Sequence, residues 1–129
     1  MNNNELEKIA KNLIETTELA GKKSIEIHRK GLKIITKPDN SPVTNGDLEV
    51  NKILTEKIKV LTPNIPIISE ETVDLKKKNT LKTFWLIDPI DGTKEYIAGK
   101  DEYTINAALV LNYVPTIGLL GAPKKNRLF

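Results

Sequence analysis

The sequence predicts an α+β fold in which two N-terminal helices pack on a mostly antiparallel sheet. Three observations predict it. Apolar residues recur with one-face helical spacing in two early stretches, short apolar runs rich in Ile, Leu and Val follow, and polar turn residues separate those runs.

The first helix is expected over residues 5 to 28, where Leu6, Ile9, Ala10, Leu13, Ile14, Thr17 and Ala20 share one face. Gly21 weakens it without ending it. Residues 32–36 read as a short strand, and Lys37-Pro38-Asp39-Asn40-Ser41-Pro42 reads as a loop. The second helix starts at Thr44, because Thr44 and Asp47 have the spacing of a capping box. Val50, Ile53, Leu54, Ile58 and Leu61 form its apolar stripe, and Pro63 ends it. Strands are expected at 65–69, 83–88, 103–111 and 115–120, with another starting near Arg127. The link Asn112-Tyr113 joins two of them and suits an antiparallel pair.

Composition narrows the chemistry. With 129 residues, 39% of them apolar, the chain fits one domain or a piece of a larger one. No stretch approaches the roughly 20 apolar residues that cross a bilayer, and the start has neither a basic nor an apolar leader segment, so a cytoplasmic protein is expected. The absence of cysteine removes disulfides, thiolate zinc sites and cysteine nucleophiles. With His28 the single histidine, a metal must be held by oxygen, which points to magnesium, manganese or calcium. The net charge of +3 comes from dispersed lysines without interleaved aromatics, so no nucleic-acid partner is expected, and Lys76-Lys77-Lys78 reads as a solvated loop.

The chemistry-bearing residues cluster at strand ends. Phe84-Trp85-Leu86-Ile87 should be a buried strand ending in Asp88, and Pro89 should stop its pairing. The chain then turns through Ile90-Asp91-Gly92, and Thr93 opens a short helix. Two carboxylates at the mouth of a buried strand repel each other and lose hydration, and a divalent cation relieves both effects. Gly92 admits close backbone approach to an anion, and the amides of a helix start favour phosphate. The same residues also make an ordinary Asp-Gly turn. Glu70 and Glu71 follow an apolar strand as Asp88 does, and either join this site or form an acidic loop. Asp47 reads as the far end of a helix capping box or, facing inward three residues before Val50, as a base.

The run Trp85-Leu86-Ile87-Asp88-Pro89-Ile90-Asp91-Gly92-Thr93-Lys94-Glu95-Tyr96 resembles the signature of the inositol monophosphatase superfamily. Asp39-Asn40-Ser41-Pro42-Val43-Thr44 with Asp47, then Ile68-Ser69-Glu70-Glu71, then Glu102-Tyr103-Thr104-Ile105-Asn106-Ala107-Ala108-Leu109 agree with it in order. Thr93-Lys94-Glu95-Tyr96 is more similar to the 3′(2′),5′-bisphosphate nucleotidases of the CysQ type, since inositol monophosphatases usually have Thr-Thr-Asn-Phe there.

The resemblance implies the N-terminal half of a layered αβαβα sugar-phosphatase fold, with residues 1–129 as its metal-binding domain. It implies Mg2+ held by Glu70, Asp88 and the Ile90 carbonyl, and a second Mg2+ on Asp88 and Asp91. Glu70, Asp91, Gly92 and Thr93 would meet the substrate, Thr93 and Asp47 would activate water, and Glu71 and Thr44 would support them from behind. The implied reaction is hydrolysis of a small phosphorylated substrate: a nucleotide bisphosphate, chiefly adenosine 3′,5′-bisphosphate to AMP, or an inositol or sugar phosphate. Lithium sensitivity is a family trait.

Two residues depart from the pattern. Gly46 replaces the usual Ala, read here as a helix-propensity cost of about 1 kcal/mol, and Tyr96 replaces the commoner Phe. Family chains also continue into a second α/β domain that supplies another aspartate and much of the substrate pocket. Without it, a catalytically silent relative is the alternative expectation. An exposed apolar face near the C-terminal strands is expected, open to self-association or to a complementing C-terminal chain.

Overall fold

The computed structural model describes residues 1–69 and 81–129. Helix α1 (Asn3–Lys30) opens at Asn2, whose Oδ1 accepts the Glu5 amide at 2.8 Å. It buries Ile9, Leu13, Thr17 and Ala20 and runs through Gly21 unbroken. A Cβ at Gly21 would lie 3.1 Å from Pro123 Cγ, so the missing side chain lets another segment lie close against the helix.

Beyond α1, strand β1 (Ile34–Thr36) pairs antiparallel with β2 (Pro42–Thr44) as a two-stranded ribbon. The first strand is thus shorter than expected, and Pro42 belongs to a strand rather than to the loop. The reversal between them is local. Asp39 Oδ1 accepts the Ser41 amide at 3.0 Å and its hydroxyl at 2.5 Å, while Asn40 takes a φ of 67°. Pro42 lacks an N–H but stands first in an edge strand, where none is needed.

Helix α2 (Asn45–Leu61) forms the expected capping box, with Thr44 as N-cap and Asp47 at the third position. Val50, Leu54 and Ile58 are buried, and Thr62 closes the helix ahead of Pro63. Full burial of side chains such as Leu13, Leu54 and Ile58 contributes about 1.5–3 kcal/mol each.

The sheet runs in the order β3-β4-β5-β6-β7, from β3 (Ile67–Ser69) through β4 (Phe84–Asp91), β5 (Thr104–Leu111) and β6 (Val114–Ala122) to β7 (Arg127–Leu128). Only β3 and β4 are parallel; the other neighbours are antiparallel. Asn112 and Tyr113, at φ 48° and 67°, turn β5 into β6. Pairing of β4 does not stop at Pro89 as expected. The register slips between Asp88 and Asp91 and resumes at Asp91 opposite Thr104, because a bulge carries the proline past the ladder without requiring its missing donor.

Trp85, Ile87, Ile105, Leu109 and Leu119 point to the helices and complete one core. The Trp85 indole N–H, fully buried, donates to Thr62 Oγ1 at 3.0 Å. On the opposite face of the sheet, Leu86 and Leu120 remain 40% and 39% exposed and Phe129 70%, so the expected open apolar face is present. No helix among the described residues is long and apolar enough to cross a membrane. The Lys76-Lys77-Lys78 run lies outside the described residues.

Candidate metal and phosphate site

The bulge of β4 and the turn after it build the site. Asp88 is half-buried at the slip, Pro89 and Ile90 are buried, and Asp91 is exposed at the strand end. Gly92 then takes φ 91° and ψ 47°, the left-handed conformation that a side chain resists. A Cβ there would also stand 3.2 Å from the Glu102 carbonyl. The turn feeds directly into α3 (Thr93–Ile97), whose ladder begins with Tyr96 N–H on the Gly92 carbonyl at 2.9 Å. The amides before Tyr96 therefore have no acceptor within the helix. Asp88, Ile90, Asp91, Gly92, Thr93 and Lys94 line a half-open cavity of about 250 Å³, closed on its other side by Lys37, Ser41 and Pro42.

Asp47 is 1% exposed, and its two oxygens have different partners. Oδ2 accepts from the Thr44 amide at 2.9 Å and the Thr44 hydroxyl at 2.5 Å. Oδ1 accepts from Thr93 Oγ1 at 2.9 Å. The cap and the inward-facing carboxylate are thus one residue using both oxygens. Thr93 Oγ1 also lies 3.3 Å from the Ile90 carbonyl. Its single proton favours Asp47, where the bond is shorter and charge-assisted.

The structure brings Asp88, Ile90, Asp91, Gly92 and Thr93 to one cavity and hangs Asp47 and Thr44 behind Thr93. Glu70 and Glu71 lie outside the described residues. Among the described residues, no three histidine or acidic side chains gather to hold an ion by themselves. The cavity is lined by the carboxylate residues Asp88, Asp91 and Glu95 and by no histidine or cysteine, an oxygen set that fits a hard dication that retains water and takes further oxygens.

Two residues outside the sequence-based site fasten the elements that carry it. Asn51, one helical turn beyond Asp47, accepts the Ser69 hydroxyl at 2.5 Å and ties the end of β3 to α2. The only signal in the sequence was a polar residue beside the buried stripe of α2. Tyr96 is 1% exposed, and its hydroxyl donates to the Ser24 carbonyl at 2.6 Å. Burial, then the neighbouring Tyr103 and Asp47, push its ionisation well above the usual tyrosine range. Gly46 is also more than a helix-propensity cost: a Cβ at 46 would fall 2.3 Å from Tyr96 Oη. The two departures from the family pattern face each other.

The sequence profile described as "Inositol monophosphatase family" matches residues 3–129. The chain is 37% identical over 117 residues to a 3′(2′),5′-bisphosphate nucleotidase CysQ of Aggregatibacter actinomycetemcomitans, covering 89% of this chain and 44% of that relative. The crystal structure of CysQ from Bacteroides thetaiotaomicron superposes with a TM-score of 0.66 at 35% identity, over 92% of this chain and 44% of that one. An IMPase/NADP phosphatase complexed with Mg2+ and phosphate shares the fold at a TM-score of 0.83 and 19% identity, over 95% and 47%. The chain spans less than half the length of these relatives. With its signature residues set around one cavity and the profile matched from residue 3 to residue 129, the chain belongs to the inositol monophosphatase family.

Proposed function

We propose that this chain carries the metal-binding and water-activating part of a magnesium-dependent phosphomonoesterase, which removes the 3′(2′)-phosphate of adenosine 3′,5′-bisphosphate to leave AMP. The observation that carries this reading is the Thr93–Asp47 hydrogen bond at the edge of the cavity that Asp88 and Asp91 line. The choice of substrate draws on Thr93-Lys94-Glu95-Tyr96 and on the CysQ relatives.

The chain's own residues supply the following chemistry. Thr93 donates its hydroxyl hydrogen bond to Asp47, which leaves the lone pairs of Oγ1 to accept a hydrogen bond from water. As that water attacks phosphorus, its proton passes to Thr93 while Thr93 passes its own to Asp47. A phosphorus–oxygen bond forms on the side opposite the ester oxygen, the ester bond breaks, the departing alkoxide takes a proton from solvent, and Asp47 returns its own to solvent. Bound magnesium supplies charge neutralisation at the phosphoryl and leaving oxygens. Asp88, Asp91, the Ile90 carbonyl and Glu70 would hold it, and the Gly92 and Thr93 amides with Lys94 would take phosphate oxygens. Lithium sensitivity belongs to the same reading. The proposed setting is the cytoplasm, in keeping with a chain free of cysteine.

The open sheet face supports a second reading. Leu86, Ala108, Leu120 and Phe129 line one depression on it. A chain silent by itself would cover this face by self-association or with a complementing C-terminal chain; a clean monomer in light scattering would count against self-association.

Phosphate release from adenosine 3′,5′-bisphosphate with magnesium, beside inositol 1-phosphate, tests the function. Release above the Asp91→Ala background supports it, and release equal to that background removes the enzyme claim for this chain. Faster turnover of inositol 1-phosphate would move the activity to the inositol type.

A further inference from the structure

Helix α3 has five residues, too few to hold a helical conformation or a position by itself, and its N-cap Gly92 contributes no side-chain bond. Something outside it must set where Thr93 stands. Tyr96 lies one turn after Thr93, and its contacts reach both long helices. Its hydroxyl donates to the Ser24 carbonyl of α1 at 2.6 Å. Its ring stands edge-on to Tyr103, at 4.7 Å between centroids, and to His28 at 5.5 Å. Its far edge lies on the first turn of α2, where a Cβ at Gly46 would come 2.3 Å from Oη and 2.7 Å from Cε2.

The contact is therefore two by two. Gly46 and Asp47 are neighbours in α2, Tyr96 and Thr93 are one turn apart in α3, and Gly46 meets Tyr96 while Asp47 meets Thr93. Tyr103 secures the same corner, since its hydroxyl lies 2.9 Å from Ser24 Oγ. We propose that Tyr96 is the positioning residue for Thr93, with Gly46 as the socket that lets it seat. Its effect on turnover rests on the reading that Thr93 and Asp47 act on water; its effect on where Thr93 stands does not.

Gly46→Ala forces the ring outward and carries α3, with Thr93, away from Asp47. Tyr96→Phe removes both the atom that clashes most closely and the tie to Ser24, so the ring is free to slide aside for the added methyl. The double variant Gly46→Ala/Tyr96→Phe should recover much of what Gly46→Ala loses, although two unfavourable single changes would ordinarily add.

The experiment follows the Thr93 methyl resonance in methyl-labelled protein, with kcat and KM for phosphate release alongside. The expected result is a displaced Thr93 signal in Gly46→Ala, largely restored in the double variant, with the Thr62 methyl unmoved throughout. Turnover should fall about a hundredfold in Gly46→Ala, the scale of a misplaced catalytic group, with KM little changed and partial recovery in the double variant. A folded Gly46→Ala chain with an unmoved Thr93 signal overturns the proposal, as does a double variant no closer to wild type than the single one. Wild-type protein that releases no phosphate counts against the proposed function alone, because the methyl signal still decides the position of Thr93.

Discussion

Thr93 Oγ1 donates to Asp47 Oδ1 at 2.9 Å across 46 positions of sequence, joining the five-residue helix α3 to the first turn of α2. Asp47 is at once the reciprocal member of a capping box and the acceptor for a hydroxyl at the cavity edge. Removing its charge and removing its side chain should therefore have separable effects.

Asp47→Ala deletes the cap partner of Thr44 and the acceptor of Thr93 together. A loss of about 1–2 kcal/mol is expected in urea unfolding. Asp47→Asn keeps one acceptor oxygen and should cost less. Both should lower phosphate release by on the order of a hundredfold or more, because neither can take a proton from Thr93. Equal stability losses in the two variants would show that the capping role had been misjudged.

Magnesium should raise the thermal midpoint in a concentration-dependent way, since a cation on the cavity binds only the folded chain. Asp91 is exposed, so Asp91→Ala without magnesium should change stability by no more than about 0.5 kcal/mol. With magnesium, most of the thermal gain should disappear. A full gain in Asp91→Ala would take Asp91 out of the cation site.

Two buried tyrosines make the fold sensitive to alkali. Burial raises the ionisation of Tyr96 and Tyr103 in the folded chain above the ordinary value of 10.0. Below pH 10.0 both residues stay protonated, folded or unfolded, and their contribution is fully present. As pH rises beyond that value the unfolded chain ionises first, and stability is lost progressively toward the folded-state values. Urea midpoints measured across this range should fall, and Tyr96→Phe should flatten the slope.

Trp85 reports on the other end of α2. Thr62→Val removes the acceptor of its buried indole N–H and should cost roughly 1–3 kcal/mol. Fluorescence of this single tryptophan follows the urea transition directly. An unchanged midpoint would mean that the indole finds another partner.

Much of this was legible in the sequence. The helix carrying Leu6 to Ala20, the capping box of Thr44 and Asp47, and the Asn112-Tyr113 turn each depend on contacts within a few residues and formed where the spacing placed them, except that Ile14 of the expected stripe is exposed and Thr16 is buried instead. Pairing at Asp91 beyond Pro89 was not legible, because a bulge is a negotiation with the neighbouring strand β5. Nor was Pro42 as the start of a strand, since only its partner in β1 makes it one.

The candidate site divides along the same line. Sequence alone determined which oxygen-bearing side chains stand at the end of β4 and which residue caps α2, because those are properties of short segments. That Asp47 reaches Thr93, a pairing only the family resemblance implied, that Asn51 holds Ser69, and that Gly46 makes room for Tyr96 were realised only when both helices packed on one face of the sheet. Those pairs are distant in sequence, and no local pattern encodes a contact whose energy exists only after the core between its partners has closed.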